Sequence, residues 1–288
     1  MSRWNGRPGR ERQWLGGVAL LTLLLALPLA RLAIYAWDSS LHSHVVLIPL
    51  VSAYLLYTRR GTLPAAGPAS PAGAALPAAI GAAALAAAFA WRERLSVNDG
   101  HALVALAYAS LVAAGGFLFL GSKWMRAAAF PFAFLVFMVP LPDALAAALE
   151  RASAAASAEA AALYFAAAGT PLVRQGTIFE LQTITMEVAQ ECSGIRSSWV
   201  LFITSVLAAQ LFLGSPWRRL ILVAFVIPLG ILRNGFRVFV IGMLCVRVGP
   251  HMIDSLIHRQ GGPLFFALSL APLFLLLWWL RRGERRRR

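Results

Sequence analysis

The sequence predicts an all-α, polytopic transmembrane bundle of about eight spans. Three observations carry that reading. First, 59% of the 288 residues are hydrophobic and mean hydropathy is +0.70, against about 45–50% apolar residues in a soluble domain. Second, several apolar runs reach the roughly 20 residues that a helix needs to cross a bilayer. Third, those runs are continuous rather than alternating, which excludes a closed β-barrel.

Taken in order, the first span covers roughly Trp14 to Trp37, and the second roughly His44 to Tyr57, closed by Arg59 and Arg60. A Pro/Ala/Gly linker, Gly61 to Ala72, follows. The alanine-rich third span runs about Gly73 to Trp91, and the fourth from His101 to Leu120. The fifth, Phe130 to Pro142, carries two prolines at its end that should stop or kink the helix. Asp143 to Gly169 is helical but holds Glu150, Arg151 and Glu159. A charge at the centre of a lipid-exposed helix costs ~2.5–3.5 kcal/mol. The segment is therefore expected along the interface, with a span shielded by its neighbours as the alternative. Thr170 to Glu191 has β-branched, alternating residues and predicts a short extramembrane hairpin. The remaining spans are Cys192 to Leu213, Leu220 to Val248 and Pro263 to Leu280, the last two separated by the polar segment Gly249 to Gly262.

The net charge of +14 does not point to nucleic acid, because of where the basic residues fall. Arg3, Arg7, Arg10 and Arg12 precede the first span, and Arg281, Arg282 and Arg285 to Arg288 follow the last. Others sit in short loops: Arg59 and Arg60, Lys123 and Arg126, Arg218 and Arg219. This is cytoplasmic anchoring by the positive-inside rule, with lipid headgroups as the anionic partner. Eight crossings place every strong cluster inside; only Arg92 and Arg94 dissent, beside Glu93. One membrane-embedded domain, residues 1–288, is expected, with cytoplasmic basic ends at 1–13 and 281–288. The first apolar run is expected to stay uncleaved, being too long for a signal peptide.

That topology brings unusual residues to one level. Cys192 opens its helix at the outer end. Arg237 lies ~27 Å along the next helix from Arg219, at ~1.5 Å per residue, near the outer edge of a hydrocarbon core ~30 Å thick. His258 falls in the next outer segment. A helix N-terminus and a neighbouring guanidinium both favour thiolate, the nucleophilic form of cysteine. Histidine can take the thiol proton and return it to a leaving amine. Arginine does not act as a base, so Arg237 is assigned to hold the thiolate or the developing oxyanion. Asn234, one turn before Arg237, is a supporting residue that could orient it. Thiol, imidazole and cation together describe acyl transfer through a thioester.

Each of these residues also has a plainer role: Cys192 as a small packing residue, Arg237 snorkelling to headgroups, Asn234 paired with backbone, and His258 capping or bonding a loop. Cys245, in mid-helix, is read as packing. Arg233 is read as snorkelling to headgroups. His42, His44 and His101 are read as interfacial. His251, Asp254 and His258 share a helical face, but a catalytic zinc wants three well-placed ligands, so no metal and no cofactor are expected. With two cysteines in all, no disulfide framework holds the fold.

Six blocks, taken in order, resemble the exosortase/archaeosortase family of multi-pass membrane cysteine transpeptidases. They are SHVVLIPLVSAYLLYTRR (Ser43 to Arg60), FPFAFLVFMVPLPD, the stretch GTPLVRQGTIFELQTITMEVAQECSGIRSS, SPWRR, RNGFRV and HRQGGPLFF. Pro263 after Gly262 departs from the family's usual aromatic. The resemblance implies catalytic Cys192, Arg237 and His258 facing the outside of the cytoplasmic (inner) membrane. It implies secreted protein substrates whose C-terminal sorting signal combines a short Pro-Glu-Pro-like motif, a transmembrane helix and a basic tail. The cleaved chain would pass to an acceptor nucleophile whose identity the sequence leaves open, often in exopolysaccharide settings. No accessory soluble domain is expected. A reading from another class is a transporter or assembly factor for surface polysaccharide. That needs charges lining a path through the bilayer middle, whereas here they gather at one rim. A rhomboid-type serine protease would use Ser193 or Ser197, without a Gly-x-Ser-x-Gly setting.

Overall fold

Proline and glycine punctuate long apolar runs in this chain, and the helices break where those residues dictate. The structure is a computed structural model and describes residues 8–39, 41–188, 194–255 and 261–285. Five helices are long and apolar enough to cross a membrane, or up to seven if each of two bent pairs is one span. The protein is therefore a polytopic helical membrane protein. Its contacts fall into two compact units, Met1–Asp143 and Ala144–Arg288.

In the first unit, α1 (Pro8–Leu24) and α2 (Ala26–Asp38) replace the single first span expected. They meet at a bend of 73°. Pro28 explains it: without an N–H, it cannot bond to the carbonyl of residue 24, and its ring crowds that carbonyl. The chain turns at Leu25, and helical bonding resumes with Leu29 N donating to Leu25 O at 2.9 Å. The second apolar segment forms α3 (Leu47–Arg59), only 13 residues long. α4 (Pro71–Ala90) starts with Pro71 in its first turn and Ser70 as N-cap, whose side chain accepts from Gly73 N at 3.3 Å. α5 (Val97–Phe119) is capped by Ser96, which accepts from Asp99 N at 3.0 Å. Alanine and glycine line the buried faces of both helices, and small residues let two apolar helices approach closely. Two short helices, α6 (Ser122–Ala127) and α7 (Ala129–Phe134), then lead to a 3₁₀ turn at Leu135–Met138. Pro140 and Pro142 follow without helical structure, as the sequence requires. Trp14, Trp124 and Phe132 form an aromatic triad, ring centroids 5.8–6.1 Å apart.

His42 and His44 correct the interfacial reading: they are 4% and 8% exposed. The turn that carries them folds inward, with the His42 ring stacked on Tyr35 and its Nδ1 bonded to Ser39 Oγ at 3.1 Å. Tyr35 also donates to Asn98 Oδ1 at 3.2 Å and packs on His101. Asn98 in turn donates to Leu141 O at 2.7 Å and Asp143 Oδ1 at 2.8 Å.

The second unit holds α8 (Asp143–Ala167), a small sheet, and the helices α9 (Ile195–Phe212), α10 (Pro216–Arg247) and α11 (Gly262–Arg285), with a 3₁₀ turn at Pro250–Asp254. The expected hairpin is a three-stranded antiparallel sheet: β1 (Val173–Gln175), β2 (Ile178–Glu180) and β3 (Thr185–Glu187), in that order. Arg174 pairs with Phe179 and Phe179 with Met186. Strand alternation points Phe179 and Met186 to one face, where they join Phe165 of α8 and Val238, Ile241 and Cys245 of α10 in a common core. Cys245 is fully buried there, as its packing role predicts. Glu159 of α8 takes a two-pronged hydrogen bond from Arg174, at 2.7 and 2.9 Å, which ties the sheet to the helix and gives one of the four charges of α8 a partner.

Candidate active site

The site is assembled on α10, so its orientation comes first. At its start, Gly214 N and Ser215 N donate to the Glu284 carboxylate of α11 at 2.9 and 2.8 Å. Arg218 caps the Leu280 carbonyl at 2.8 Å. Arg218 and Arg219, in the first turn of α10, and the last turns of α11 thus lie at one end of this helical group. The opposite ends of α9 and α11 meet α10 about four turns on, around residues 233 to 236.

There Gly194 is the N-cap of α9, with φ 72° and ψ 6°, a left-handed conformation that other residues adopt at a cost. The absent side chain matters as much as the torsion. A Cβ on Gly194 would fall 2.7 Å from Asn234 Oδ1 and 3.1 Å from Arg233 Nη2. The Gly194 carbonyl is a focus of donors: Ser198 N at 3.0 Å, Ser197 Oγ at 3.1 Å and Arg233 Nη2 at 3.1 Å. Arg233 Nη2 also reaches Ser198 Oγ at 3.1 Å. The N-cap and first turn of α9 are therefore anchored to α10 by a guanidinium.

Arg233 corrects the sequence reading. It does not snorkel; it is 9% exposed and turns inward to α9. Asn234 is 2% exposed. Arg237, one turn beyond Arg233 on the same side of the helix, is half-buried. Between the two arginines Gly235 faces α8, where a Cβ would fall 2.5 Å from Ala160 Cβ and 2.9 Å from Ala161 N. The alanine and serine run of α8 thus has a reason: its backbone must approach α10 beside the buried polar residues.

On the next residue, the Phe236 ring meets Phe265 of α11 at 6.4 Å. Phe265 lies seven residues after His258. Gly194 lies two residues after Cys192, a covalent reach of at most ~7 Å. Cys192 and His258 themselves lie outside the described residues, so the trio read from sequence is represented by Arg237 and by the chain on either side. Asn234 and Arg237 stand where the helical spacing puts them. His251 is exposed on the 3₁₀ turn, and no cluster of three or more metal-ligating side chains occurs among the described residues. Arg233 and Ser198 were not legible as site residues, although the signal existed: Arg233 precedes Arg237 by four residues, and Ser198 follows Gly194 by four.

A family model described as transmembrane exosortase matches residues 36–275, most of the chain. No curated protein and no solved structure matches it.

Proposed function

We propose, because this chain belongs to the transmembrane exosortase family, that it is a cysteine peptidase/transpeptidase of the cytoplasmic membrane. It would cleave the C-terminal sorting signals of secreted proteins at the extracytoplasmic rim, with both of its own termini in the cytoplasm. The observation that carries this reading is the packing of one short stretch of α10: Arg233 and Asn234 against Gly194, Phe236 against Phe265. The same stretch holds Arg237, and the two contacts lie close in sequence to Cys192 and His258.

In the first half-reaction the Cys192 thiolate sulfur bonds to the scissile carbonyl carbon and the oxygen becomes an oxyanion. Arg237 holds that charge with charge-assisted hydrogen bonds, which in a water-poor site are worth several kcal/mol to the transition state. The C–N bond breaks as His258 gives its proton to the leaving nitrogen. The acyl group stays on Cys192 as a thioester. In the second half-reaction an acceptor nucleophile, or water, loses its proton to His258 and attacks the thioester carbonyl, releasing the thiolate. Arginine at position 237 suits the charge-holding role because its planar fork of donors matches an oxyanion. The substrate's own helix would dock among the spans with its basic tail inside, in keeping with the positive-inside rule. The sheet β1–β3, which leads directly into the nucleophile segment, would help to position the motif.

The test uses membranes that contain the full-length protein and a tagged fusion ending in a Pro-Glu-Pro motif, an apolar helix and an arginine tail. Cys192→Ala should abolish cleavage. Undiminished cleavage by that variant removes the proposal.

A further inference from the structure

The mechanism above uses Arg237 and leaves Arg233 without a task. Yet Arg233 is the more deeply buried of the two, and Arg233 Nη1 has no hydrogen-bond partner among the described residues. Neither ion pair among the described residues involves it. A guanidinium taken out of water without a counter-ion is expensive, by several kcal/mol. Residues kept in such a position are a functional hypothesis by default. Packing alone would be served by leucine or methionine, which carry no desolvation cost.

What the buried guanidinium does touch is specific. Its Nη2 is shared between the Gly194 carbonyl and Ser198 Oγ, both at 3.1 Å. The Gly194 carbonyl is the last one before α9 begins, two residues after Cys192. A planar, rigid fork is suited to holding a carbonyl and a hydroxyl at once; an ammonium is a point charge with no such geometry. A side chain at position 194 would collide with both Asn234 and the guanidinium, so this N-cap has room for glycine alone.

We propose that Arg233 is a positioning residue for the nucleophile: it clamps the Gly194 carbonyl and Ser198, so fixing the start of α9 two residues after Cys192 in sequence, and adds a buried positive charge at the N-terminus of α9. The inference rests on the reading of Cys192 as nucleophile. Among the described residues, the charged groups around the start of α9 are Arg233 and Arg237 on α10 and the exposed Arg196 in the first turn of α9. Glu191 and His258 are the titratable neighbours of Cys192 that the sequence adds, and removal of Arg233 takes one positive charge from the set. Displacing a reacting atom by about 1 Å can cost ~10²-fold in rate, which sets the scale expected.

The experiment uses the full chain in detergent, in a Cys245→Ala background that leaves Cys192 as the only thiol. Two quantities are measured: kcat and KM on the tagged fusion, and the pH profile of Cys192 alkylation by iodoacetamide. Arg233→Met should lower kcat by ~10²-fold with KM little changed, and should move the alkylation midpoint to higher pH. Arg233→Lys should restore the midpoint, because charge returns, but only part of kcat, because the fork does not. Ser198→Ala should lower kcat several-fold. A merely structural Arg233 would change protein yield and leave the midpoint in place. Wild-type kcat and midpoint in Arg233→Met, with Cys192→Ala inactive, overturn this inference and spare the proposed function. If Arg233→Met does not accumulate, Arg233→Lys and Ser198→Ala decide, and wild-type kcat in both is the overturning result. Cleavage that survives Cys192→Ala removes the proposed function, and the positioning role goes with it.

Discussion

Two long apolar helices of this protein, α5 and α10, look alike in hydropathy and differ in what they bury. α5 turns Ala102, Ala105, Ala107, Val112, Ala114 and Gly116 inward, and its buried polar residue, Asn98, sits in its first turn. α10 buries Leu222, Val226 and Val238 but also Arg233 and Asn234, nearly five turns from its start. The polar end of α5 is ordinary helix-end chemistry: Asn98 satisfies the Leu141 carbonyl and the Asp143 carboxylate where the chain enters α8. The polar middle of α10 has no such local reason. A guanidinium inside an apolar helix is tolerated only where something needs it, so the comparison separates a scaffold helix from a working one.

Removing the buried amide from each helix should affect different properties. Asn98→Ala deprives a buried carbonyl and a carboxylate of their donor, and such losses cost about 1–3 kcal/mol each. Thermal stability in detergent should drop clearly, while kcat on the tagged fusion stays near wild type in the protein that remains folded. Asn234→Ala should do the reverse: a ~10²-fold fall in kcat through the loosened Gly194 turn, with a smaller loss of stability. If Asn98→Ala harms kcat as much as Asn234→Ala does, the division of labour between the two helices is wrong.

Much of the scaffold was legible because hydropathy and punctuation act locally. The apolar segments, the stop at Pro140 and Pro142, and the extended character of the stretch before Cys192 all follow from residues next to one another. The bend at Leu25 was legible in principle, since Pro28 sits inside the first run, but hydropathy does not register a missing N–H. The third strand escaped because strands of three residues carry almost no periodicity. Burial of His42, His44 and Arg233 depends on tertiary partners: Tyr35 and Ser39 for His42, Gly194 and Ser198 for Arg233. A sequence read locally assigns such residues to the water boundary. At the site, the order of blocks and the position of Arg237 along its helix pointed to Arg237, with Asn234 one turn before it, while Cys192 and His258 lie outside the described residues.

A second, smaller effect distinguishes the two units by pH. Burial holds His42 below the usual histidine range, with the Asp143 carboxylate opposing that shift in part. A histidine whose folded value lies below its unfolded one favours the folded state at high pH. That contribution is lost as pH falls from about 6.5, the unfolded value, towards the folded value. Melting temperature in detergent should therefore decline through mildly acidic pH, and His42→Gln should flatten that part of the curve. Arg233→Lys, in the other unit, should leave the slope as it is. A wild-type slope in His42→Gln would mean that another group, with His44 of the same turn the first to examine, controls acid stability.

The smallest effect concerns how the two helices begin. α5 starts with Ser96 in extended geometry, its side chain accepting from Asp99 N at 3.0 Å. Ser96→Ala should cost about 1 kcal/mol, the usual value of an N-cap. α10 also has a serine before its first turn, but the Ser215 side chain makes no cap bond. The backbone donors of Gly214 and Ser215 go instead to the Glu284 carboxylate, from α11. Ser215→Ala should therefore change the melting temperature little, whereas Glu284→Gln should lower it, because a neutral amide is the weaker acceptor for two backbone N–H groups. The scaffold helix is capped by its own sequence and the working helix by a neighbour. Equal losses from Ser96→Ala and Ser215→Ala would show that the second serine caps its helix after all, and that the link to α11 is dispensable.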